Sequence, residues 1–309
     1  MMHKILKILT SFVFSTIVGT NLFACHPSVR ANFELLTTVP THQGYRLQID
    51  THNNWYVASD SKLIIGYQHQ ILKTIELSDL ILSLFVDWHS NNWYVGTVNG
   101  FVYTGNFNNP TVTKLLVGQG VEIYSVYCYE GRWYAGASNG DVYTGQVGVT
   151  PAHLINNFTD TSILSINHLN ENIIFGFNNG ELETYDPLLE QWHKFYHVNG
   201  EVYNIVNQNN TLAILDSADD GASKFYFYQN NTWTLINSLR KGVIFNIALD
   251  NNNFIYGGDD QGNIYQIDNN EIKVLKIIEK NSIIDVKTFG NWLYILTDDG
   301  KIYDLRLNS

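Results

Sequence analysis

The sequence predicts an all-β protein built from seven copies of one small antiparallel sheet, and three observations support this prediction. First, residues 93–105 recur almost unchanged as residues 133–145, which lie 40 positions later in the chain. Second, turn-forming residues return at nearly the same interval along most of the sequence. Third, the chain has an unpaired strand near its start and ends in a unit that lacks one. A fixed period has to be recognised before single motifs are interpreted, because it sets the whole fold.

Each repeat contains a predicted β-hairpin. An apolar run rich in β-branched and aromatic residues leads into Asn-Gly, and a second such run follows, as at residues 93–105. Asn-Gly between alternating strands predicts a type I′ turn, in which both central residues have positive φ. The turn glycine returns after 40, 40, 41, 41 and 38 residues, at Gly100, Gly140, Gly180, Gly221, Gly262 and Gly300. Residues 55–65 form an earlier copy that lacks only the glycine, which makes seven hairpins.

Two further strands flank each hairpin, so that each unit has four strands, called a to d. In the third unit, the predicted strands a to d are residues 122–129, 133–137, 141–145 and 152–155. Residues 32–39 have the alternating pattern of a strand d, but no hairpin precedes them. The chain ends shortly after residues 302–305, which form a strand c.

The spare first strand and the incomplete last unit together predict a closed ring. Closure removes exposed sheet edges, which otherwise promote aggregation. Seven units of about 40 residues need about 280 residues, and residues 32–309 supply this length. We therefore predict a seven-bladed β-propeller of four-stranded antiparallel blades over residues 32–309. Its last blade is completed by the N-terminal strand, and it contains almost no helix.

The predicted ring resembles seven-bladed propellers of the WD-repeat-like and quinoprotein-like kinds. WD repeats carry Trp-Asp at the end of strand c, and Tyr185-Asp186 and Ile267-Asp268 stand at the corresponding positions here. Gly105-Asn106 and Gly145-Gln146 replace it in two other units, and no Gly-His precedes a strand a. The resemblance therefore covers residues 32–309 at the level of architecture. A shared fold does not assign a function.

Residues 1–24 are predicted to form a signal peptide. Lys4 and Lys7 give this segment a basic start, and the apolar stretch 8–18 follows them. That stretch has the length of a signal-peptide core and is too short to cross a membrane comfortably. The chain is therefore expected to be exported.

The end of the predicted signal peptide, Leu22-Phe23-Ala24-Cys25, resembles the lipobox of bacterial lipoproteins. This resemblance implies cleavage before Cys25, a lipid on that cysteine, and a short tether over residues 25–31. The expected location is then the periplasm or the outer membrane, reached through the lipid anchor. Ordinary cleavage after Ala24, followed by secretion, is the alternative.

The charge of the chain bounds its partners. The formal net charge is −11, and residues 1–24 contribute two lysines and no acidic residue, so the rest of the chain carries −13. The longest basic run is Arg240-Lys241. Because an acidic surface repels phosphate backbones, nucleic acid is not expected as a partner. Contact with a membrane is expected only through a lipid at Cys25.

The sequence has two cysteines, Cys25 and Cys128. If Cys25 carries lipid, Cys128 is left as a single thiol, and its alternating strand context predicts a small buried hydrophobic side chain. A disulfide between the two is the other option in an oxidising compartment. No zinc spacing occurs, and no metal or other cofactor is predicted.

Six aspartates form the candidate binding site. They lie in the b–c turns of the last three units, at Asp219, Asp220, Asp259, Asp260, Asp298 and Asp299. In a propeller these turns lie on one face around the central channel. Six carboxylates over three adjacent blades predict a negatively charged sector that suits a cation or a basic or polar partner. The alternative is turn chemistry alone, because Asp also stabilises tight hairpins.

Three Trp-Tyr pairs begin strand b of their units, at residues 55–56, 93–94 and 133–134. Such a set could stack on sugars. Because alternating side chains of a blade pack against its neighbours, we instead predict that these aromatic residues belong to the core.

These features predict an exported, non-catalytic propeller that acts as a monomeric scaffold and binds a protein or other partner in the cell envelope. A propeller enzyme, a lyase or hydrolase working at the central channel, is an alternative, with Glu122, Asp160 and Glu201 as its titratable candidates. A carbohydrate-binding module is another. No catalytic residue is predicted, because no Gly-x-Ser-x-Gly, phosphate loop or paired metal motif occurs.

Overall fold

The structure is a computed structural model that describes residues 33–40, 46–147, 149, 151–217, 221–240, 242–268 and 271–307. All of these residues fall within one compact unit, Asn32–Ser309. The predicted signal peptide, the tether and Cys25 lie outside the described residues. In the described ranges every assigned element is a β-strand, and no helix there is long and apolar enough to span a membrane.

The strands are numbered in chain order. The first thirteen are β1 (Phe33–Thr38), β2 (Arg46–Ile49), β3 (Asn54–Ser59), β4 (Lys62–Tyr67), β5 (Gln70–Glu76), β6 (Ile81–Asp87), β7 (Asn92–Thr97), β8 (Phe101–Asn106), β9 (Asn109–Leu116), β10 (Ile123–Tyr129), β11 (Arg132–Ala137), β12 (Asp141–Gln146) and β13 (His153–Asn157). The remaining fifteen are β14 (Ile163–Leu169), β15 (Asn172–Phe177), β16 (Glu181–Asp186), β17 (Gln191–His197), β18 (Glu201–Gln208), β19 (Thr211–Ser217), β20 (Ser223–Gln229), β21 (Thr232–Leu239), β22 (Ile244–Leu249), β23 (Ile255–Asp259), β24 (Asn263–Ile267), β25 (Ile272–Ile277), β26 (Ile283–Phe289), β27 (Trp292–Thr297) and β28 (Lys301–Arg306).

These strands form seven separate four-stranded sheets, whose neighbouring strands are all antiparallel. Blades 1 to 6 each take four consecutive strands, from β2–β5 to β22–β25. The first strand of each blade contacts the first strand of the next blade. The first strands therefore surround the centre, and the last strands form the outer edges. The predicted seven blades of four strands are confirmed.

Blade 7 is completed by the N-terminal strand. Its order is β1-β28-β27-β26, with Phe33 opposite Leu305 and Leu35 opposite Tyr303. The rings of Phe33 and Tyr303 stack with their centroids 5.0 Å apart. The predicted closure of the ring is thus confirmed, and the free edge of β28 is covered by the start of the chain.

The apolar core consists of seven clusters, each lying between two neighbouring blades. Successive residues of a strand face opposite sides of its sheet. Trp93 accordingly packs in the cluster between blades 1 and 2, and Tyr94 in the cluster between blades 2 and 3. Trp55, Trp93 and Trp133 are at most 1% exposed. The prediction that the Trp-Tyr pairs form core, and not a sugar-stacking surface, is confirmed.

The b–c turns do not have the predicted type I′ geometry. Gly100, Gly140 and Gly180 have φ values of 78°, 84° and 87°, whereas the asparagine before each glycine does not have positive φ. Three residues separate β7 from β8, and Gly100 N donates to Thr97 O at 3.4 Å. A three-residue hairpin loop needs only one left-handed residue, at its end, and glycine supplies it. The type I′ prediction was therefore wrong for these turns.

Cys128 lies on the first strand of blade 3 in the cluster between blades 2 and 3. It is a free thiol and is 6% exposed. Burial raises its pKa to about 11, so that the thiol stays protonated at neutral pH. This confirms the prediction of a small buried hydrophobic side chain.

Candidate functional site

The acidic turns of blades 6 and 7 are adjacent in the structure. Asp259 and Asp260 stand where β23 ends, and Asp298 and Asp299 follow β27. Ser282 joins the two turns. Its backbone carbonyl accepts from Asp298 N at 3.0 Å, and its hydroxyl donates to the backbone O of Asp260 at 3.1 Å. The structure therefore brings together the predicted site residues of these two blades.

Asp259 is fully buried and holds its own turn in place. Its carboxylate accepts from the backbone N of Gln261 at 2.9 Å and of Asn263 at 2.8 Å. The Asn263 amide and the Tyr265 hydroxyl each add a donor at 2.8 Å. A buried carboxylate needs such donors to offset its loss of water. The side chain thus faces the interior of the turn and not solvent.

Asp299 is half-buried and is also engaged within its turn. It forms an ion pair with Lys301 and accepts from the Thr297 hydroxyl at 2.6 Å. Burial alone would raise the pKa of Asp299, but the hydrogen bonds from Lys301 and Thr297 hold the pKa below its usual range. The carboxylate is therefore charged at neutral pH, and Lys301 compensates part of that charge.

Asp260 and Asp298 have carboxylates that a partner can reach. Asp260 is exposed and Asp298 is half-buried. Asp260 accepts from the backbone N of Val243 at 3.0 Å, and Asp298 accepts from the Asn281 amide at 3.3 Å. Each carboxylate keeps further lone pairs, and within the described ranges neither takes part in an ion pair. These two residues are the available part of the site in blades 6 and 7.

Asp219 and Asp220, the predicted contribution of blade 5, lie outside the described residues, as does Cys25. That all six aspartates form one negatively charged sector therefore stays a prediction.

Asp259 belongs to a structural motif that the sequence analysis missed. Asp50 accepts from the backbone N four residues later at 2.9 Å and from the tyrosine hydroxyl six residues later at 3.0 Å. Asp250 makes the same two bonds at 2.9 and 3.0 Å. The signal that Asp50, Asp250 and Asp259 share in the sequence is a tyrosine six positions later.

A second set of unforeseen polar residues links neighbouring blades. Ser83, Ser125 and Ser165 occupy the same position in the first strands of blades 2, 3 and 4. Their hydroxyls donate to a backbone carbonyl in the first strand of the following blade at 3.1, 3.3 and 3.1 Å. Asp285 takes this position in blade 7 and accepts from Leu47 N of blade 1 at 2.8 Å. The signal in the sequence is Ile-x-Ser in three consecutive units.

The three titratable candidates for catalysis have different surroundings. Glu122 accepts a hydrogen bond from the Tyr124 hydroxyl, and Asp160 is exposed in a turn with φ of 61°. Glu201 is half-buried at the start of β18. Across the described ranges, no group of three or more His, Cys, Asp or Glu side chains is arranged to hold a metal ion.

The fold and the turns define a class, a closed seven-bladed β-propeller. No family model matches the sequence, and no curated protein matches it significantly. Solved structures do match, with 1639 chains in all.

The β-propeller domain of Myceliophteria thermophila Cps50 (Swd1) is similar with a TM-score of 0.74 and 8% identity, over 89% of this chain and 100% of that one. A chain of a mitotic checkpoint complex gives a TM-score of 0.73 and 13% identity, over 96% and 100% of the two chains. The computationally designed Ika8 protein gives 0.63 and 14%, over 88% and 99%. At such identities the likeness shows the fold alone.

Proposed function

We propose that this chain is an exported, non-catalytic β-propeller that binds a protein partner in the cell envelope through the acidic turns of blades 6 and 7. One observation carries the proposal. Asp260 and Asp298, joined through Ser282, present two carboxylates on adjacent turns, and neither has an ion-pair partner among the described residues. A pair of carboxylates that solvent reaches on one face attracts a basic side chain of a partner and orients it.

The rest of the blade architecture supports this role. Asp259 and Asp299 are engaged within their turns, so the loops that display Asp260 and Asp298 are held by their own side chains. Binding residues are commonly found on loops positioned by a rigid scaffold. A structural neighbour of this chain is part of a mitotic checkpoint complex, which supports partner binding as a use of the fold.

The location is part of the proposal. The predicted signal peptide at residues 1–24 and the lipobox-like sequence before Cys25 support export and an anchor in the envelope. We place the propeller in the periplasm or at the outer membrane as a lipid-anchored monomer, with free secretion as the alternative. The strongly acidic charge supports a basic or polar partner and disfavours nucleic acid.

The test is a comparison of three forms of the protein on envelope extract at physiological salt. The first is wild type, and the second is Asp260→Asn with Asp298→Asn. The third is a control, Glu130→Gln with Glu171→Gln, which removes the same charge from two exposed residues in the a–b turns at the opposite ends of the strands. A captured protein is identified and its Kd is then measured with purified components.

We expect wild type and control to bind the same protein equally, and the Asp260/Asp298 variant to bind it at least tenfold more weakly. Equal binding by all three forms would show that the acidic turns are not part of the interface. Capture of no protein by any form, together with turnover of a sugar or lactone, would favour the enzyme alternative.

A further inference from the structure

A groove of about 540 Å³ opens between the outer parts of blades 3 and 4. It lies at the ends of the strands opposite the acidic turns, because its residues include the start of β11 and the end of β12. Its lining includes Arg132, Gln146, His153, Leu154, Tyr185 and Glu190. Its volume is within the range of specific ligand sites, which is roughly 300–1,000 Å³.

The groove coincides with a local departure from the repeat. In blades 1, 2 and 5 only two residues connect strand c to strand d, whereas six separate β12 from β13 in blade 3. β13 is also the shortest outer strand, with five residues. The groove therefore lies where blades 1 to 6 have their longest connection between strands c and d. An irregular connection on a regular scaffold is a common place for a binding site.

Arg132 supplies a positive charge to one wall of the groove. It is half-buried at the start of β11, and within the described ranges no acidic side chain lies within ion-pair distance of it. Burial raises the pKa of the Tyr134 and Tyr185 hydroxyls, and the positive charge of Arg132 opposes this rise at both. In a chain with a net charge of −11, an arginine in a concave site that has no ion-pair partner among the described residues suits an anion. Glu190 is exposed on the other wall and suits hydrogen-bond donors.

Exposed aliphatic side chains line the groove or adjoin its lining residues in the chain. Leu154 and Val149 line it and are 56% and 49% exposed. Leu188 and Leu189 directly precede Glu190 and are 82% and 65% exposed. Asp186 fixes their turn by accepting from both backbone N atoms, at 2.8 and 3.0 Å. Apolar surface gathered beside a polar anchor is typical of an interaction site.

We propose that this groove binds an extended segment of a partner protein, in which a carboxylate side chain flanked by aliphatic side chains meets Arg132. A carboxylate matches the planar guanidinium through paired hydrogen bonds. A small apolar acid would fill the cavity but would leave Leu188 and Leu189 uncovered, which is why a peptide segment fits better. The proposal rests on the proposed function only in taking the chain to be a protein-binding scaffold, since the two sites lie at opposite ends of the strands.

The experiment selects a displayed library of random heptapeptides on the full-length protein and removes those that also bind an Arg132→Glu variant. A fluorescein-labelled selected peptide then gives Kd values by fluorescence polarisation. The variants are Arg132→Glu, Leu154→Asp, and the Asp260→Asn/Asp298→Asn form as a control at the other site. Thermal unfolding shows that each variant is folded.

We expect selected peptides to carry Asp or Glu between Leu, Ile or Val, and to bind Arg132→Glu and Leu154→Asp at least tenfold more weakly. Replacing the acidic residue of the peptide by Lys should restore binding to Arg132→Glu. The Asp260/Asp298 variant should bind as wild type does, so that failure of the proposed function and failure of this inference are separable. Three results would overturn the inference. The first is recovery of no peptide, and the second is recovery of peptides without acidic residues. The third is unchanged binding of the selected peptides to Leu154→Asp or to a folded Arg132→Gln form.

Discussion

Leu47 N donates a 2.8 Å hydrogen bond to the carboxylate of Asp285, although the two residues are 238 positions apart in the chain. The bond joins the first strand of blade 1 to the first strand of blade 7. Both residues are at most 1% exposed, and Lys287 Nζ lies 3.0 Å from the other carboxylate oxygen. Closure of the ring therefore uses a buried charged residue near the centre as well as strand pairing at the outer edge.

We predict that Asp285→Ala lowers the free energy of unfolding by about 3 kcal/mol, because it leaves Lys287 without its partner and Leu47 N without an acceptor. Urea unfolding followed by tryptophan fluorescence measures the change. Glu76→Ala is the control, since Glu76 forms an exposed ion pair with Lys62 and should change stability by less than about 1 kcal/mol. Similar small effects for both variants would show that Asp285 does not help to close the ring.

Gly145 lies opposite Trp133 on the neighbouring strand. A Cβ atom at Gly145 would stand 2.4 Å from the indole ring, which is closer than such atoms approach. We predict that Gly145→Ala destabilises the protein by about 1–3 kcal/mol through overpacking. Thermal unfolding checks this. Adding Trp133→Phe should recover part of the loss if the indole causes it, and a purely additive further loss would contradict that cause.

We predict that Asp79 makes the stability of the protein depend on pH. The residue is buried between blades 1 and 2 and accepts from Asn99, Tyr103, Lys114 and Ser78 at 2.8, 2.5, 3.0 and 2.8 Å. Burial alone would raise the pKa of Asp79, but these four donors hold the pKa well below its usual range. A carboxyl whose pKa is lower in the folded state than in the unfolded state stabilises the fold fully at pH values above its unfolded pKa, which is about 3.9. This stabilisation is lost as the pH falls towards the pKa of the folded state.

Asp79→Asn should therefore cost about 1.5–3 kcal/mol at pH 7. The difference in free energy of unfolding between wild type and variant should become smaller below about pH 4. Denaturant unfolding from pH 7 to pH 3 measures it. A gap that stays constant across this range would mean that the charge on Asp79 contributes nothing.

Lipid attachment is tested at Cys25. The lipobox-like sequence predicts that a fatty-acid analogue labels the wild-type protein in its host and that Cys25→Ser abolishes the label. Cys128→Ser is the matched control and should label normally, because Cys128 is a buried thiol. Label that persists in the Cys25→Ser form would rule out lipid at that residue, and absence of label in the wild-type protein would favour plain secretion.

The fold was predictable because its signals are periodic and local. The repeat of residues 93–105 and the spare strand at residues 32–39 determine the blades and their closure without knowledge of distant contacts. The turn type was not predictable from Asn-Gly alone, because the dipeptide does not fix the loop length. Gly100 sits at the end of a three-residue loop, where only one left-handed residue is required.

The site was predictable in part. The turns of Asp260 and Asp298 meet because blades with equal periods place equivalent turns side by side. Asp259 differs from these two residues in having a tyrosine six positions later, and the hydroxyl of that tyrosine donates to its carboxylate. The groove at Arg132 was not predictable from the sequence, because its space depends on how side chains of blades 3 and 4 stand beside each other in three dimensions.

The register of β1 on β28 is the central claim, because it closes the ring and so decides which turns share a face. The most direct test introduces Leu35→Cys and Tyr303→Cys, which stand opposite each other, in a Cys25→Ser background. Opposed residues of an antiparallel pair lie within disulfide reach, at roughly 4.5–5.5 Å between Cα atoms. We predict an intramolecular disulfide between these two residues by peptide mapping, and none for the control pair Glu34→Cys with Tyr303→Cys, whose side chains face opposite sides of the sheet. No disulfide in the first pair, or equal bridging in both, would contradict the closed ring.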